Sequence, residues 1–372
     1  MIRINYITNL DVNEFSGGWS GMNHNVYGQL KKRFEVHTVQ KVNPPYSPRV
    51  VYASKAAKVL GLKRTFPAFT ARRLKQIADE VSSKRDDKAA LNFYHGATPW
   101  LLTGNNVPYA MYLDCCFATY IRVYHDQSKF SARQLKYIFD KERDFLNNAL
   151  CVFFSSKWAM DEAANSYNLQ ARNFYVAGLG GGLTTETVQY SNEKYFLFAG
   201  LDFFGKGGDL LVKAFAEVQK LHPGFKLKIV GEKPPPDFLS IPNVEYAGRF
   251  NKSNHDEAKQ LLDLFKNAYC FVLPTSKDMT PLVLVEAASL GCPVIAMNNF
   301  GIPDIVKHNE TGLLVDPVKP IHEQLVAAMN EVIVNTATHR KFSENAKVHI
   351  NDNFSWSRTG TIICDQILES LS

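Results

Sequence analysis

The chain has no apolar run of the roughly 18 residues that a membrane-spanning helix needs. Its opening residues, MIRINYITNL, read as a strand and not as a secretory leader. Cysteine is scarce: the 6 residues are scattered, only Cys115 and Cys116 adjoin, and no C-x-x-C occurs. That argues against a disulfide framework and suits buried residues or free thiols in a reducing compartment, so a cytoplasmic location is expected. The 10 histidines include no H-x-x-x-H spacing and there is no Asp-x-Asp, so neither a metal nor a cofactor is expected. The glycines after the first predicted strand, Gly17-Gly18-Trp19-Ser20-Gly21, miss the G-x-G-x-x-G spacing, which argues against a nicotinamide dinucleotide site. No helix-turn-helix, zinc-finger or RRM pattern accompanies the net charge of +6, so nucleic acid is not an expected partner.

What is present is an ordinary globular composition, 45% apolar and 21% charged, in a 372-residue chain long enough for two domains. Strand-like and helix-like segments alternate, which predicts parallel sheets built from βαβ units. Strands are expected over residues 3–8, 34–40, 91–94, 109–113 and 151–154, and helices over 22–32, 55–60, 71–82 and 132–147. A second cycle begins with a strand over 195–199, a helix over 209–221 and a strand over 225–230. Between the cycles, GLGGGLTTETVQYSNE (residues 178–193) has the composition of a linker. The expected domains are therefore 1–180 and 190–350, with a final helix in 351–372.

Charge is divided unevenly. Residues 1–190 hold 24 Lys+Arg against 15 Asp+Glu, a balance of +9, and the remainder holds 18 against 21, or −3. The basic clusters are Lys31-Lys32-Arg33, Lys55/Lys58/Lys63/Arg64, Arg72-Arg73-Lys75 and Lys129/Arg133/Lys136/Lys141/Arg143. Each alone is a solvated face; together they suit an acidic acceptor or peripheral contact with an anionic membrane surface.

The richest segment is AYCFVLPTSKDMTPLVLVEAASLGCPVIAMNNFGIPDIVKHNETGLLVDP, residues 268–317. It reads as strand, loop, helix, strand, loop, helix start and hairpin. The strand over 268–273 ends at Pro274, and Thr280-Pro281 looks like an N-cap with proline at the first helical position. Met279 and Leu284 are then spaced as a hydrophobic staple, and Gly291 ends the helix. A helix entered this way aims free N–H groups at whatever lies above the sheet, which favours a phosphate. Asp278 precedes it and Glu286 lies about a turn and a half inside it, so two carboxylates can address two parts of one ligand.

Asp278, Glu286-Ala287, Gly291, Pro293-Val294-Ile295, Pro303-Asp304-Ile305-Val306 and Thr311-Gly312-Leu313-Leu314-Val315 occur in order. This series resembles the donor-binding signature of retaining glycosyltransferases of family 4. The resemblance implies a GT-B fold, two Rossmann-like domains with parallel sheets facing across a cleft, and a final helix, led by Phe354-Ser355-Trp356, that packs on the N-terminal domain. It implies transfer of a sugar from a nucleotide diphosphate sugar to a hydroxyl of a glycan, lipid-linked or other acceptor, with retention and without metal. Donor contacts are implied for Gly17, Gly18, Lys206, Gly231, Arg249, Asp278, Met279, Thr280, Pro281, Leu282 and Glu286, with Asp278, Lys206 and His95 at the chemistry.

Two departures stand out. Family members carry an arginine and a lysine around the glycine-rich turn of residues 198–215; Lys206 matches the lysine, but Leu201 or Gly205 stands where the arginine belongs, leaving Arg249 as a substitute. Asp278 replaces the usual glutamate. The histidine expected near the reacting centre is His95 or His125, with Asp114 a third candidate; His95 ends a strand, where α/β enzymes bind ligands. Other readings are a GT-B epimerase or hydrolase acting on the nucleotide sugar itself, and a non-catalytic sugar-nucleotide-binding subunit.

Overall fold

Cys151–Phe154 and Ala268–Leu273 carry no charged residue and are buried along their whole length. A strand buried on both faces needs helices above and below it, and hence a parallel sheet. The structure, a computed structural model, describes residues 1–14, 17–104, 106–182 and 190–372; the middle of the expected linker, 183–189, lies outside the described residues. The chain forms two compact units, Met1–Gly178 with Ser357–Ser372, and Leu179–Trp356.

The first unit runs β1 (Arg3–Ile7), α1 (Gly18–Leu30), β2 (Glu35–Val39), α2 (Pro48–Val59), α3 (Ala71–Lys84), β3 (Leu91–His95), β4 (Tyr109–Leu113), α4 (Phe117–Tyr124), α5 (Ala132–Asn147), β5 (Cys151–Phe154), α6 (Lys157–Tyr167) and β6 (Phe174–Val176). Its six strands are ordered β2-β1-β3-β4-β5-β6, all parallel. The second unit runs β7 (Glu193–Gly200), α7 (Gly208–Leu221), β8 (Lys226–Gly231), α8 (Pro236–Leu239), β9 (Val244–Gly248), α9 (His255–Asn267), β10 (Ala268–Leu273), α10 (Leu282–Ser289), β11 (Val294–Met297), α11 (Ile302–Ile305), β12 (Gly312–Val315), α12 (Ile321–Val334) and α13 (Thr336–Asn353). Its six strands are ordered β12-β11-β10-β7-β8-β9, again all parallel. Helix α14 (Trp356–Leu371) then returns the chain to the first unit, where Arg33 pairs with Asp365 at 3.0 Å and the Cys151 Sγ lies 3.4 Å from the Ser370 Oγ.

In each sheet the strand order reverses once, between β1 and β3 and between β7 and β10. Parallel strands end on one edge, and beside such a reversal the loops part to leave a crevice where ligands of α/β proteins bind. Two such places therefore exist, one per unit.

Several elements differ from expectation. Helix α2 begins at Pro48, seven residues before the helix expected over 55–60. Helix α1 begins at Gly18 and not near residue 22, because Gly17 serves as N-cap and its N–H donates to the Ser20 Oγ at 3.1 Å. Helix α10 begins at Leu282, with Pro281 extended at its N-cap (ψ 112°), one residue later than the Thr280-Pro281 signal implied. The expected hairpin near residue 312 is absent: β12 pairs in parallel with β11 from Val294↔Gly312 to Met297↔Val315. The polar stretch before it folds on itself instead, the Lys307 N–H donating to the Thr311 Oγ1 at 2.8 Å.

Candidate functional site

In the second unit, Lys206 follows β7 and Asp278 follows β10, so both stand at the strand-order reversal. Their side chains form a close ion pair, Nζ to Oδ2, and remain 29% and 21% exposed, so a ligand can reach them. The turn that carries Lys206 is shaped by glycine. Gly207 has φ +77°, and a Cβ there would come within 2.2 Å of the Pro274 carbonyl oxygen; only glycine lets this turn lie against the end of β10. Gly207 is also the N-cap of α7, which has no side-chain cap. The loop that carries Asp278 is fixed by Thr275, whose Oγ1 accepts from the N–H groups of Lys277 (3.3 Å) and Asp278 (3.2 Å).

Glu286 lies on α10 and is 1% exposed. Its Oε1 accepts from the Lys252 Nζ and from the Gly182 N–H, the latter at 3.1 Å. Its Oε2 is buried with no hydrogen-bond partner among the described residues. Leaving a buried acceptor unsatisfied costs about 1–3 kcal/mol, so this oxygen calls for a donor beyond the described residues. Asn299 is similar: its Nδ2 donates to the Thr275 carbonyl at 3.2 Å while its Oδ1 is buried and unpartnered. The first turn of α10 has no side-chain cap, so N–H groups there are open to an anion.

The remaining expected donor residues fall into three groups. Thr280, Pro281 and Met279 are buried in the loop before α10, and Leu282 is half-buried at its start. Gly231 ends β8 at φ +108°, where a Cβ would meet the Gly200 carbonyl oxygen at 2.1 Å; it lets two strands end side by side. Arg249 follows β9, the edge strand, and is exposed with no ion pair among the described residues. The lysine that meets a key carboxylate is Lys252, which sequence reasoning missed. It lies just before the Asn254 cap of α9, in a polar run with nothing to separate it from its neighbours.

The first unit's reversal is built differently. His95 ends β3 and is 1% exposed, its ring stacked on Trp19 at a centroid distance of 3.9 Å and an angle of 28°. Neither ring nitrogen has a hydrogen-bond partner within ordinary distance among the described residues. Burial pushes its pKa down to about 3, against a weaker opposing pull from the Trp19 backbone, so the ring is neutral. It lines a cavity of about 160 Å³ together with Asp114, Thr98, Cys115 and Tyr120. His125 does not line this cavity; it packs edge-on to Phe66 and Phe130. Beneath the cavity, Glu142 is fully buried, accepts from Thr98 (2.7 Å), the Phe117 N–H (2.6 Å) and Tyr167, and has its pKa raised by burial. Gly17 and Gly18 sit at the entry to α1, Gly18 with nothing within 4 Å of where a Cβ would be.

The basic clusters separate into structural and free members. Arg73, expected on a solvated face, is instead 6% exposed and donates to Pro44 (3.2 Å), Ala68 (2.9 Å) and Asn43 (2.6 Å), because it ties α3 to the loop after β2. Lys136 pairs with Asp140 at 2.7 Å and Arg143 with Asp144 at 3.0 Å. Among the described residues no cluster of three His, Cys, Asp or Glu could hold a metal, and no helix is long and apolar enough to cross a membrane.

Residues 185–349 match the family model described as glycosyl transferases group 1. A curated relative, the D-inositol 3-phosphate glycosyltransferase of Paenarthrobacter aurescens, is 29% identical over 62% of this chain and 60% of its own length. The glycogen synthase of Mycobacterium tuberculosis is 28% identical over 44% of this chain and 40% of its own; the chain thus spans only about half the length of these relatives. Among solved structures, a sucrose-phosphate synthase from Thermosynechococcus elongatus superposes with TM-score 0.73 at 17% identity, over 100% of this chain and 99% of that one. Anabaena HepE, in complex with UDP and glucose, superposes with TM-score 0.62 at 15% identity, over 99% and 100%. The fold is therefore the two-domain Rossmann-like α/β type of the GT-B glycosyltransferases, and residues 185–349 are similar to the group 1 glycosyltransferases.

Proposed function

We propose that the chain is a retaining, metal-independent hexosyltransferase that moves a sugar from a nucleotide diphosphate sugar to an acceptor hydroxyl. The observation that carries this reading is Glu286, a buried carboxylate with one oxygen held by Lys252 and Gly182 and the other without a partner among the described residues. A ribose diol supplies the missing donor, and an ionised carboxylate binds it well. The departing diphosphate lies over Lys206, Gly207 and the uncapped first turn of α10, which stabilise its growing charge. When the donor enters, Lys206 turns from Asp278 to the phosphates and Asp278 turns to the sugar hydroxyls. Asp278 is one methylene shorter than the glutamate of relatives, so a water bridges part of this contact. The acceptor is assigned to the first unit, where Asp114 and the neutral His95 line a cavity suited to hydroxyl groups.

One observation favours a second reading: Lys206 and Lys252 are both closed on carboxylates, and among the described residues no arginine joins them. A non-catalytic sugar-nucleotide-binding subunit needs no more than that. Incubation with UDP-, GDP-, ADP- and dTDP-sugars separates the readings. Thermal stabilisation plus transfer with a retained anomeric centre supports the enzyme. Stabilisation without turnover supports the subunit, and acceptor-independent nucleotide release with loss of configuration supports an epimerase or hydrolase.

A further inference from the structure

Residues 36–78 contain 9 Lys+Arg and no Asp or Glu. Within this stretch α2 buries none of its residues, which is unusual for a helix whose stability normally comes from a packed apolar face. Its outward side carries Tyr52 at 70% exposure and Val59 at 86%, followed by Leu60 at 70% and Leu62 at 61%. Arg49, Lys55, Lys58 and Lys63 flank them, and none is paired with an acid among the described residues. On its other side the Ser54 Oγ donates to the Thr65 carbonyl at 2.9 Å, and the Leu62 N–H closes the helix's own last turn on the Ala57 carbonyl at 2.8 Å.

We propose that α2 and the turn after it form a docking surface for an anionic lipid bilayer. Exposed aromatic and aliphatic side chains among lysines suit a plane with acyl chains below and negative headgroups above. Water alone gives Val59, Leu60 and Leu62 nothing, and a purely polyanionic partner would use the lysines and leave the aliphatics in solvent. The absence of acid over 43 consecutive residues removes the repulsion that would otherwise oppose approach. This inference does not rest on sugar transfer, because docking needs neither donor nor acceptor.

The test is co-sedimentation of the full chain with vesicles of phosphatidylcholine alone or mixed with phosphatidylglycerol. Binding is expected only with the anionic lipid, and should be weaker at about 1 M salt than at about 0.1 M, where charges are felt over about 10 Å and not 3 Å. Lys55→Glu, Lys58→Glu and Lys63→Glu together should weaken it at least about tenfold. Tyr52→Ser, Val59→Ser, Leu60→Ser and Leu62→Ser together should also weaken it about tenfold, and leave a residue that high salt abolishes. Tyr52→Trp, a mild change at an exposed site, should shift its emission to the blue on anionic vesicles and not on neutral ones. Failure of the parent to sediment at low salt, or an unmoved Tyr52→Trp emission, overturns the proposal. So does vesicle binding by the serine set equal to the parent's, which would mark a plain polyanion surface.

Discussion

The two units share one architecture and fill its ligand-binding place with opposite chemistry. At the β7/β10 reversal stand the Lys206–Asp278 pair and the uncapped start of α7, and α10, which follows β10, adds the Lys252–Glu286 pair and a carboxylate oxygen with no partner among the described residues. At the β1/β3 reversal stand a stacked Trp19–His95 pair, a neutral imidazole and a small, mostly uncharged cavity. A charged, hydrogen-bonding crevice fits a nucleoside diphosphate. An aromatic-walled one fits a sugar-like or other neutral hydroxyl-bearing group, which offers apolar faces as well as hydroxyls. The same backbone topology thus sets where a ligand sits, and the loop residues set what it is.

The largest effect should come from the second unit. Lys206→Ala should lower kcat/KM on the identified donor by about 10²–10³ with an unchanged circular dichroism spectrum, since it removes a cation at the departing charge. Asp278→Asn should lower kcat while leaving the affinity for bare nucleotide intact. Equal loss of nucleotide affinity would move this residue from the sugar to the nucleotide. Lys252→Met should weaken nucleotide binding about tenfold, near the 1.5–3 kcal/mol of a charged hydrogen bond, with Lys252→Arg restoring part of it. A Lys252→Met protein that binds nucleotide normally would reduce this lysine to a surface partner.

The first unit should answer chiefly through pH. His95 is neutral in the fold down to about pH 3, whereas an unfolded histidine takes up a proton near pH 6.5. Its contribution to stability is therefore complete above about pH 6.5 and lost as pH falls towards 3, at up to about 1.4 kcal/mol per pH unit. The melting temperature of His95→Gln should fall less steeply than the parent's from pH 6.5 to 4; parallel curves would place this ring in contact with water. The smallest effect belongs to Arg249. Exposed and without an ion pair among the described residues, it should change stability by no more than about 0.5 kcal/mol on replacement by alanine, and a large loss of kcat/KM would revive it as the substitute for the missing arginine.

The strands were legible because they are short, β-rich and buried: 109–113, 151–154 and 268–273 match to the residue. Helix starts were less legible, since Gly17 and Pro281 act as caps through backbone shape and not through a capping side chain. The carboxylates of the candidate site could be read from spacing. Lys252 and Asn299 could not, because they reach it from turns distant in sequence and no local pattern marks them. Arg73 misled because a basic triplet on a helix looks solvated until the loop that covers it is known.

If Glu286 holds the ribose of a nucleoside diphosphate, the ribose hydroxyls must matter to binding through this residue. Isothermal titration with the preferred nucleoside diphosphate and its 2′,3′-dideoxy analogue should be run on the parent and on Glu286→Gln. Removing the hydroxyls should weaken binding to the parent by about 10–150-fold, the range of charged hydrogen bonds. The same removal should matter little to Glu286→Gln, whose affinity for both nucleotides should match the parent's for the dideoxy compound. If the parent binds the two nucleotides equally, or if Glu286→Gln keeps the full discrimination between them, Glu286 is not the ribose ligand.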